Sequence, residues 1–181
     1  MSSLTIKDLE KLQIDHPDYR MELVDGNIIV MSPSGYESEE VATEAARLLG
    51  NWVKPRKLGR VTGSGAGFIL PNSDIRAPDV SFVLAERLRK SPPFFAELVP
   101  DIIVEVKSPN DSIKSLRKKI EDFLAVGTRV GILINPEKHI VEIYRSGQDV
   151  IILGDGDVLT VPDLLPGWEV AISDLWSPEF E

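Results

Sequence analysis

The segment Asp101-Ile102-Ile103-Val104-Glu105-Val106-Lys107 constrains this chain more than any other. Its run of β-branched residues predicts a strand, on which alternate side chains share a face. Ile102, Val104 and Val106 form one face and read as core; Asp101, Ile103, Glu105 and Lys107 form the other. Glu105 is then a carboxylate flanked by valines in a strand expected at the middle of a sheet. A charge buried there is costly unless something neutralises it. Two partners suggest themselves: Lys107, two residues on and on the same face, or a divalent cation, which favours carboxylate and carbonyl oxygens. Taken alone, the segment is also explained by a half-solvated Glu–Lys pair at a strand end.

A second acid shifts that balance. Pro78-Asp79-Val80-Ser81-Phe82-Val83 opens another apolar strand with Asp79 at its start. Alone, Asp79 reads as a turn residue after a proline. Asp79 followed later by Glu-x-Lys at a strand end is a set that can hold Mg²⁺ or Mn²⁺. Such a cation polarises a phosphoryl oxygen and acidifies water. The lysine would orient that water or stabilise charge developing on a phosphate.

The rest of the composition narrows the classes. With 181 residues the chain suits one domain, residues 1–181, with a core that needs no disulfide. It has no cysteine, which removes disulfide frameworks, thiolate catalysis, iron–sulfur clusters and cysteine-based zinc sites. His16 and His139 are isolated, so no histidine-based metal site is expected. No basic-then-apolar leader opens the chain, and no apolar run approaches the ~20 residues that cross a bilayer. The reading is a soluble cytoplasmic protein with no membrane partner. The net charge of −9 argues against a nonspecific nucleic-acid coat, though not against one local basic strip.

Along the chain, residues 5–13 read as a short helix capped by Thr5. Asp25-Gly26 between apolar runs reads as a hairpin turn. Residues 36–52 read as a helix whose buried stripe is Val41, Ala45, Leu48, Leu49 and Trp52. Strands are expected over residues 59–62, 67–70, 79–84, 101–107, 130–134 and 140–144, with a short helical stretch before Pro92-Pro93. A helix capped by Asp111 or Ser112 is expected to end near Gly127. Gly63-Ser64-Gly65-Ala66-Gly67 lacks the lysine and following helix of a phosphate loop and reads as a hairpin turn. Gly154-Asp155-Gly156-Asp157 lacks the other positions of a calcium loop. These elements indicate an α/β fold with a mixed sheet.

With these motifs in order, the chain resembles the PD-(D/E)XK proteins of the restriction-endonuclease-like superfamily. More closely, it is similar to a large bacterial family of restriction-endonuclease-type proteins within it. The likeness rests on Pro78-Asp79 with Glu105-Val106-Lys107, on Met21-Glu22-Leu23-Val24-Asp25-Gly26 and on Met31-Ser32-Pro33-Ser34-Gly35. It continues through Arg76-Ala77-Pro78-Asp79-Val80, the 100–109 segment, Lys119 with Phe123 and Gly127, Asn135-Pro136, Leu165-Pro166-Gly167 and Leu175-Trp176. Phe123 stands where relatives often carry Tyr, and Asn135 where Asp is common. The resemblance implies a restriction-endonuclease-like mixed β-sheet flanked by helices, with additional N-terminal and C-terminal hairpins. It implies that Asp79 and Glu105 bind Mg²⁺ or Mn²⁺, with the Val106 carbonyl a further ligand, and that Lys107 is the catalytic lysine. Glu22 matches an early acidic position expected near the same metal, its other reading being an exposed hairpin residue. Lys119 matches a recurring lysine on the helix after the catalytic strand. The implied activity is phosphodiester hydrolysis in nucleic acid, DNA ahead of RNA, by a homodimer. The alternatives are a non-catalytic metal- or phosphate-binding module and a structural homo-oligomer whose charges are ion pairs.

That helix carries Ile113, Leu116, Ile120, Phe123 and Leu124 as an apolar stripe. Arg117 and Lys119 fall at its margins, while Lys114 and Lys118 point away. The cations read as a solvated face with pairs such as Arg117–Glu121 and Lys118–Asp122, or as a phosphate-facing strip. Lys54, Arg56, Lys57 and Arg60 form a second basic strip open to the same two readings.

Overall fold

Thr5 starts the first helix as its spacing predicts. Its hydroxyl accepts from the Asp8 N–H, and the Asp8 carboxylate accepts in return from the Thr5 N–H, a reciprocal capping box. The computed structural model describes residues 3–181 and begins with this helix, α1 (Ile6–Asp15). The hairpin of β1 (Arg20–Val24) and β2 (Asn27–Met31) follows. Asp25 and Gly26 take φ of 49° and 72°, the left-handed pair that a two-residue turn between twisted strands requires.

The next helix, α2 (Tyr36–Arg56), runs a turn beyond the expected residue 52. Pro55 does not stop it, because a proline so near the end removes one backbone bond while the stripe continues to the buried Val53. Lys57 closes it in the left-handed conformation.

After α2 come β3 (Gly59–Gly63), β4 (Phe68–Ile69), β5 (Ile75–Arg76), β6 (Val80–Leu84) and β7 (Ile102–Val106). Then follow α3 (Ile113–Ala125), β8 (Val130–Asn135), β9 (Ile140–Tyr144), β10 (Ile151–Leu153), β11 (Val158–Thr160) and β12 (Glu169–Ala171). The main sheet has the order β10-β9-β8-β7-β6-β3. Its β7–β8 pair is parallel and α3 makes the crossover; the other pairs are antiparallel. A smaller sheet, β2-β1-β5-β4, carries the N-terminal hairpin, and β11–β12 forms the C-terminal one.

Two expectations are corrected. The 63–67 glycine segment is not a hairpin turn: β3 pairs with β6 and β4 with β5, so the segment crosses from one sheet to the other. The expected helical stretch before Pro92 is a turn at 85–87, too short to close successive helical bonds.

Both faces of the main sheet are covered. Ile102, Val104 and Val106 pack with α2 and the C-terminal segment, alongside Val80, Phe82, Ile132 and Leu165. Ile103, Leu133 and Val83 pack on the other side with Ile120 and Phe123 of α3. Along α3 the apolar stripe is flanked by two cations that reach down to the sheet. Arg117 holds Glu142 of β9 in a two-point pair through Nε and Nη2, and Lys119 reaches Glu105 of β7. Of the two expected helical pairs, Lys118–Asp122 forms; Arg117 leaves Glu121 for the buried Glu142, where its charge offsets a larger desolvation cost.

The approach of α3 depends on Gly131 of β8. A methyl group there would lie 2.3 Å from Ile120 Cγ2. Gly131→Ala is therefore expected to cost about 1–3 kcal/mol in urea unfolding, the usual penalty for overpacking a core. Adding Ile120→Ala to the same chain should return part of that loss. An unchanged midpoint for Gly131→Ala would show that the helix does not rest on this contact.

Candidate functional site

The parallel pairing of β7 and β8 brings their carboxyl ends to the same side, and antiparallel β6 brings its amino end there too. Asp79, just before β6, thus meets the end of β7, and its Oδ2 accepts from the Val106 N–H at 2.8 Å. Asp79 is half-buried and Glu105 is 2% exposed.

The cation beside Glu105 is Lys119, not Lys107. Lys119 Nζ lies 2.9 Å from Glu105 Oε1 and 3.2 Å from Glu22 Oε1, and it donates to the Ala77 carbonyl at 3.0 Å. Lys107, one residue past the strand, turns outward to Glu137 at 3.2 Å and to the Ser108 carbonyl at 3.3 Å. Position explains the exchange. Helix α3 holds Lys119 over the strand, whereas Lys107 sits at the sheet's open end, where solvent reaches its partner.

Glu22 is buried rather than an exposed hairpin residue. Its Oε1 accepts the Ala77 N–H at 2.8 Å, and its Oε2 faces Arg76 Nε at 3.2 Å. Both backbone groups of Ala77 are thereby fixed, which sets the direction of Pro78 and Asp79. Arg76 also lies 3.7 Å from Asp122 and 5.9 Å from the centre of the Phe123 ring. The phenyl ring at position 123 is thus the apolar floor under a guanidinium.

Of the residues singled out in the sequence, Asp79, Glu105, Glu22 and Lys119 come together. Val106 joins through its backbone, and Lys107 lies at the rim with its ammonium turned away. Nothing in the sequence marks Arg76 beyond its place ahead of Pro78-Asp79. Nor does the sequence point to Glu39 and Asp111, whose charges bear on Asp79. Glu39 lies in the first turn of α2, where an acid is ordinary dipole compensation, so nothing in the sequence marked it out. Asn135 reads from the sequence as a turn residue, yet its buried Oδ1 has no hydrogen-bond donor among the described residues.

Electrostatically the cluster is unbalanced. Three carboxylates, Glu22, Asp79 and Glu105, share Lys119 and Arg76, and Arg76 also attends Asp122. Burial pushes the Glu105 carboxyl from 4.5 up to about 8, against the pull of Lys119 and with further push from Asp79 and Glu22. Burial likewise raises Asp79, partly offset by the Val106 N–H and Lys119. For Lys119, burial opposes its charge, but Glu105, Glu22 and Asp79 outweigh it and hold its pKa above the ordinary value. Lys119 therefore keeps its proton, and Glu105 is the member that gains one.

The donor set fits a divalent cation that retains much of its hydration. Glu105 Oε1 is buried and, although near the Lys119 ammonium, receives no directed hydrogen bond from the described residues. Among the described residues no group of three histidine or acidic side chains is placed to hold an ion alone. Two carboxylates are what Mg²⁺ commonly takes from a protein, the remaining positions going to water and phosphate.

Comparison with known proteins agrees with the fold. The Uma2 family, described as "Putative restriction endonuclease", matches residues 6–173. A solved structure, "a putative nuclease belonging to DUF820 from Anabaena variabilis ATCC 29413", superposes with a TM-score of 0.83 at 22% identity, over 95% of this chain and 97% of that one. It shares the mixed sheet flanked by helices. A DrdV–DNA complex covers 66% of this chain and 12% of its own, at 13% identity and a TM-score of 0.36, too low to carry an argument. No curated protein matches the chain. No helix among the described residues is long and apolar enough to cross a membrane.

The raised carboxyl has a direct consequence. Between pH 4.5 and about 8 the folded chain holds a proton on Glu105 that the unfolded chain has released. Stability contributed this way is complete below the unfolded value and is lost as pH rises through the folded one. In metal-free buffer the urea midpoint should fall from pH 5 to pH 8.5, and Glu105→Gln should flatten most of the decline, Asp79 supplying the remainder. Equal slopes in the two proteins would contradict the assignment.

Proposed function

Because the chain belongs to the Uma2 family, we propose that it hydrolyses phosphodiester bonds in nucleic acid with a divalent cation, Mg²⁺ or Mn²⁺. The cation would be held by Asp79 and Glu105, with the Val106 carbonyl as a further ligand. The observation that carries this reading is the surplus of buried carboxylate at one strand end, with Glu105 Oε1 lacking a directed donor. A bound cation would polarise a phosphoryl oxygen and ease the deprotonation of water there.

The protein's own groups do the positioning. Lys119 and Arg76 hold Glu22 and Glu105 at a fixed orientation, so little rearrangement is needed when a phosphate arrives. Lys107 is the ammonium free to engage that phosphate. Its present partner, Glu137, is 72% exposed, and such surface pairs contribute only about 0–1 kcal/mol. A phosphate oxygen can therefore displace Glu137 at small cost. The acidic surface of the chain requires nucleic acid to enter along a locally basic route rather than by general attraction.

Titration of Mg²⁺ and Mn²⁺ by calorimetry, paired with a nuclease assay, tests the reading. Asp79→Ala should lose both saturable metal binding and cleavage. Lys107→Ala should keep metal binding and lose cleavage by a hundredfold or more, roughly the cost of removing one group that stabilises transition-state charge. Metal binding by the unaltered protein, without turnover of any DNA or RNA offered, would instead favour a non-catalytic phosphate-binding module.

A further inference from the structure

The basic strip at residues 54–60 does not act as a unit. Arg56 folds back over the Trp52 ring, 3.4 Å from its centre, and Lys57 caps α2. Lys54 and Arg60 instead line an open cleft of about 840 Å³ together with Arg47, Thr62, Ser81 and Phe94. No acidic side chain lines it, in a chain whose net charge is −9.

Strand register connects this cleft to the carboxylate site. Arg60 pairs with Val83, Thr62 with Ser81, and Ser81 with Ile103. Paired residues share a face, and alternation along β7 places Glu105 on that face too. A second cleft of about 290 Å³, lined by Arg20, Glu22 and Ala77, shares Gln13, Gly65, Gly67 and Phe95 with the first. The two openings thus share a neck, and the track they form runs from Glu22, the carboxylate beside Lys119, to the cations. At the neck Gly65 and Gly67 present no side chain.

We propose that this track binds single-stranded nucleic acid, its backbone drawn by Lys54, Arg60 and Arg47 and an unpaired base stacked on Phe94. The proposal rests on the phosphodiesterase reading and names the form of its substrate. Lys54 has no ion-pair partner among the described residues. Among the described residues Arg60 donates only to the Leu88 and Arg89 carbonyls and meets no carboxylate; Arg47 is paired with Glu44. Phe94 is 89% exposed and follows Pro92-Pro93, which stiffens the segment that presents it. An exposed aromatic beside a cationic groove is the arrangement that grips single strands, because every unpaired base offers a π face. A duplex hides those faces. Its dense outer charge also needs a broad basic surface, which an acidic protein with cations only on the walls of a cleft does not offer.

Fluorescence anisotropy in EDTA, where no metal-dependent cleavage occurs, decides the matter. The probes are labelled dT12, rU12 and a 12-base-pair DNA duplex, offered to the unaltered protein, Phe94→Ala, Phe94→Trp and Lys54→Ala. Single strands should bind at least ten times more tightly than the duplex. Phe94→Ala should weaken them about tenfold and Phe94→Trp should not. Lys54→Ala should reduce the slope of log affinity against log salt by about 0.7. The dT12 and rU12 arms distinguish DNA from RNA. Equal or tighter duplex binding, no oligonucleotide binding, or indifference to Phe94→Ala would overturn the proposal. Its failure is separable from that of the nuclease reading: single-strand binding without cleavage in Mg²⁺ removes only the latter, and cleavage with unaltered binding by Phe94→Ala removes only the former.

Discussion

Much of this structure depends on a carboxylate where hydrophobic packing alone would place a leucine. Glu105 lies in β7, the first strand of the parallel β7–β8 pair, 2% exposed, between valines that belong to the opposite face. Removing such a group from water costs several kcal/mol unless partners replace the water. Helix α3 supplies the partner, and the same requirement fixes how α3 must dock. Lys119 has to reach β7 while Arg117 reaches Glu142 on β9, so two ion pairs set the helix's rotation over the sheet. Gly131 sets its depth, by admitting Ile120 where any side chain would stand in the way. Fold and site are therefore one construction: the crossover helix that closes the parallel pair also sets the Lys119 ammonium against the carboxyl that the pair buries.

The cluster is satisfied only in part, and that asymmetry is informative. A purely structural network would match acids to bases and leave no acceptor without a donor. Here Glu22 is well matched, by Arg76, Lys119 and the Ala77 N–H, whereas Glu105 Oε1 has only a poorly directed ammonium. Glu22 is thus fixed at both of its oxygens, and Glu105 is not. The contrast with Glu142 is instructive. That carboxylate, equally buried, receives Nε and Nη2 of Arg117 and the Tyr144 hydroxyl, and its carboxyl is held below the usual range, first by Arg117. The two acids share one sheet face, and only one lacks directed donors.

Much of this was legible in the sequence, for reasons that differ by residue. The strands showed because β-branched runs alternate, and Asp25-Gly26 because few residues adopt its conformation. Glu105 stood out because valines flanked it. The identity of its cation was not legible: Lys107 is close in sequence and Lys119 is close in space, and only packing of α3 decides between them. Arg76, Glu39 and Asn135 escaped because each has an ordinary local explanation that holds until the tertiary neighbours are known. The 63–67 segment misled because a glycine cluster between two strand-like runs does not reveal whether those strands pair with each other. They pair elsewhere, with β6 and β5, and the segment spans the gap between two sheets.

That crossover has a consequence for access. Had β3 and β4 formed a hairpin, side chains of a continuous sheet would run past the end of β6. Instead the chain leaves β3 at Gly63 and re-enters the smaller sheet at Phe68, with Gly65 and Gly67 at the opening between the two clefts. An extra Cβ at Gly65 would meet nothing within 4 Å, whereas one at Gly67 would press on the Phe95 ring at 2.6 Å. The neck is thus open on one side and floored by an aromatic on the other. The segment that fits no nucleotide-binding motif still shapes the neck between the two clefts, through the space its glycines leave.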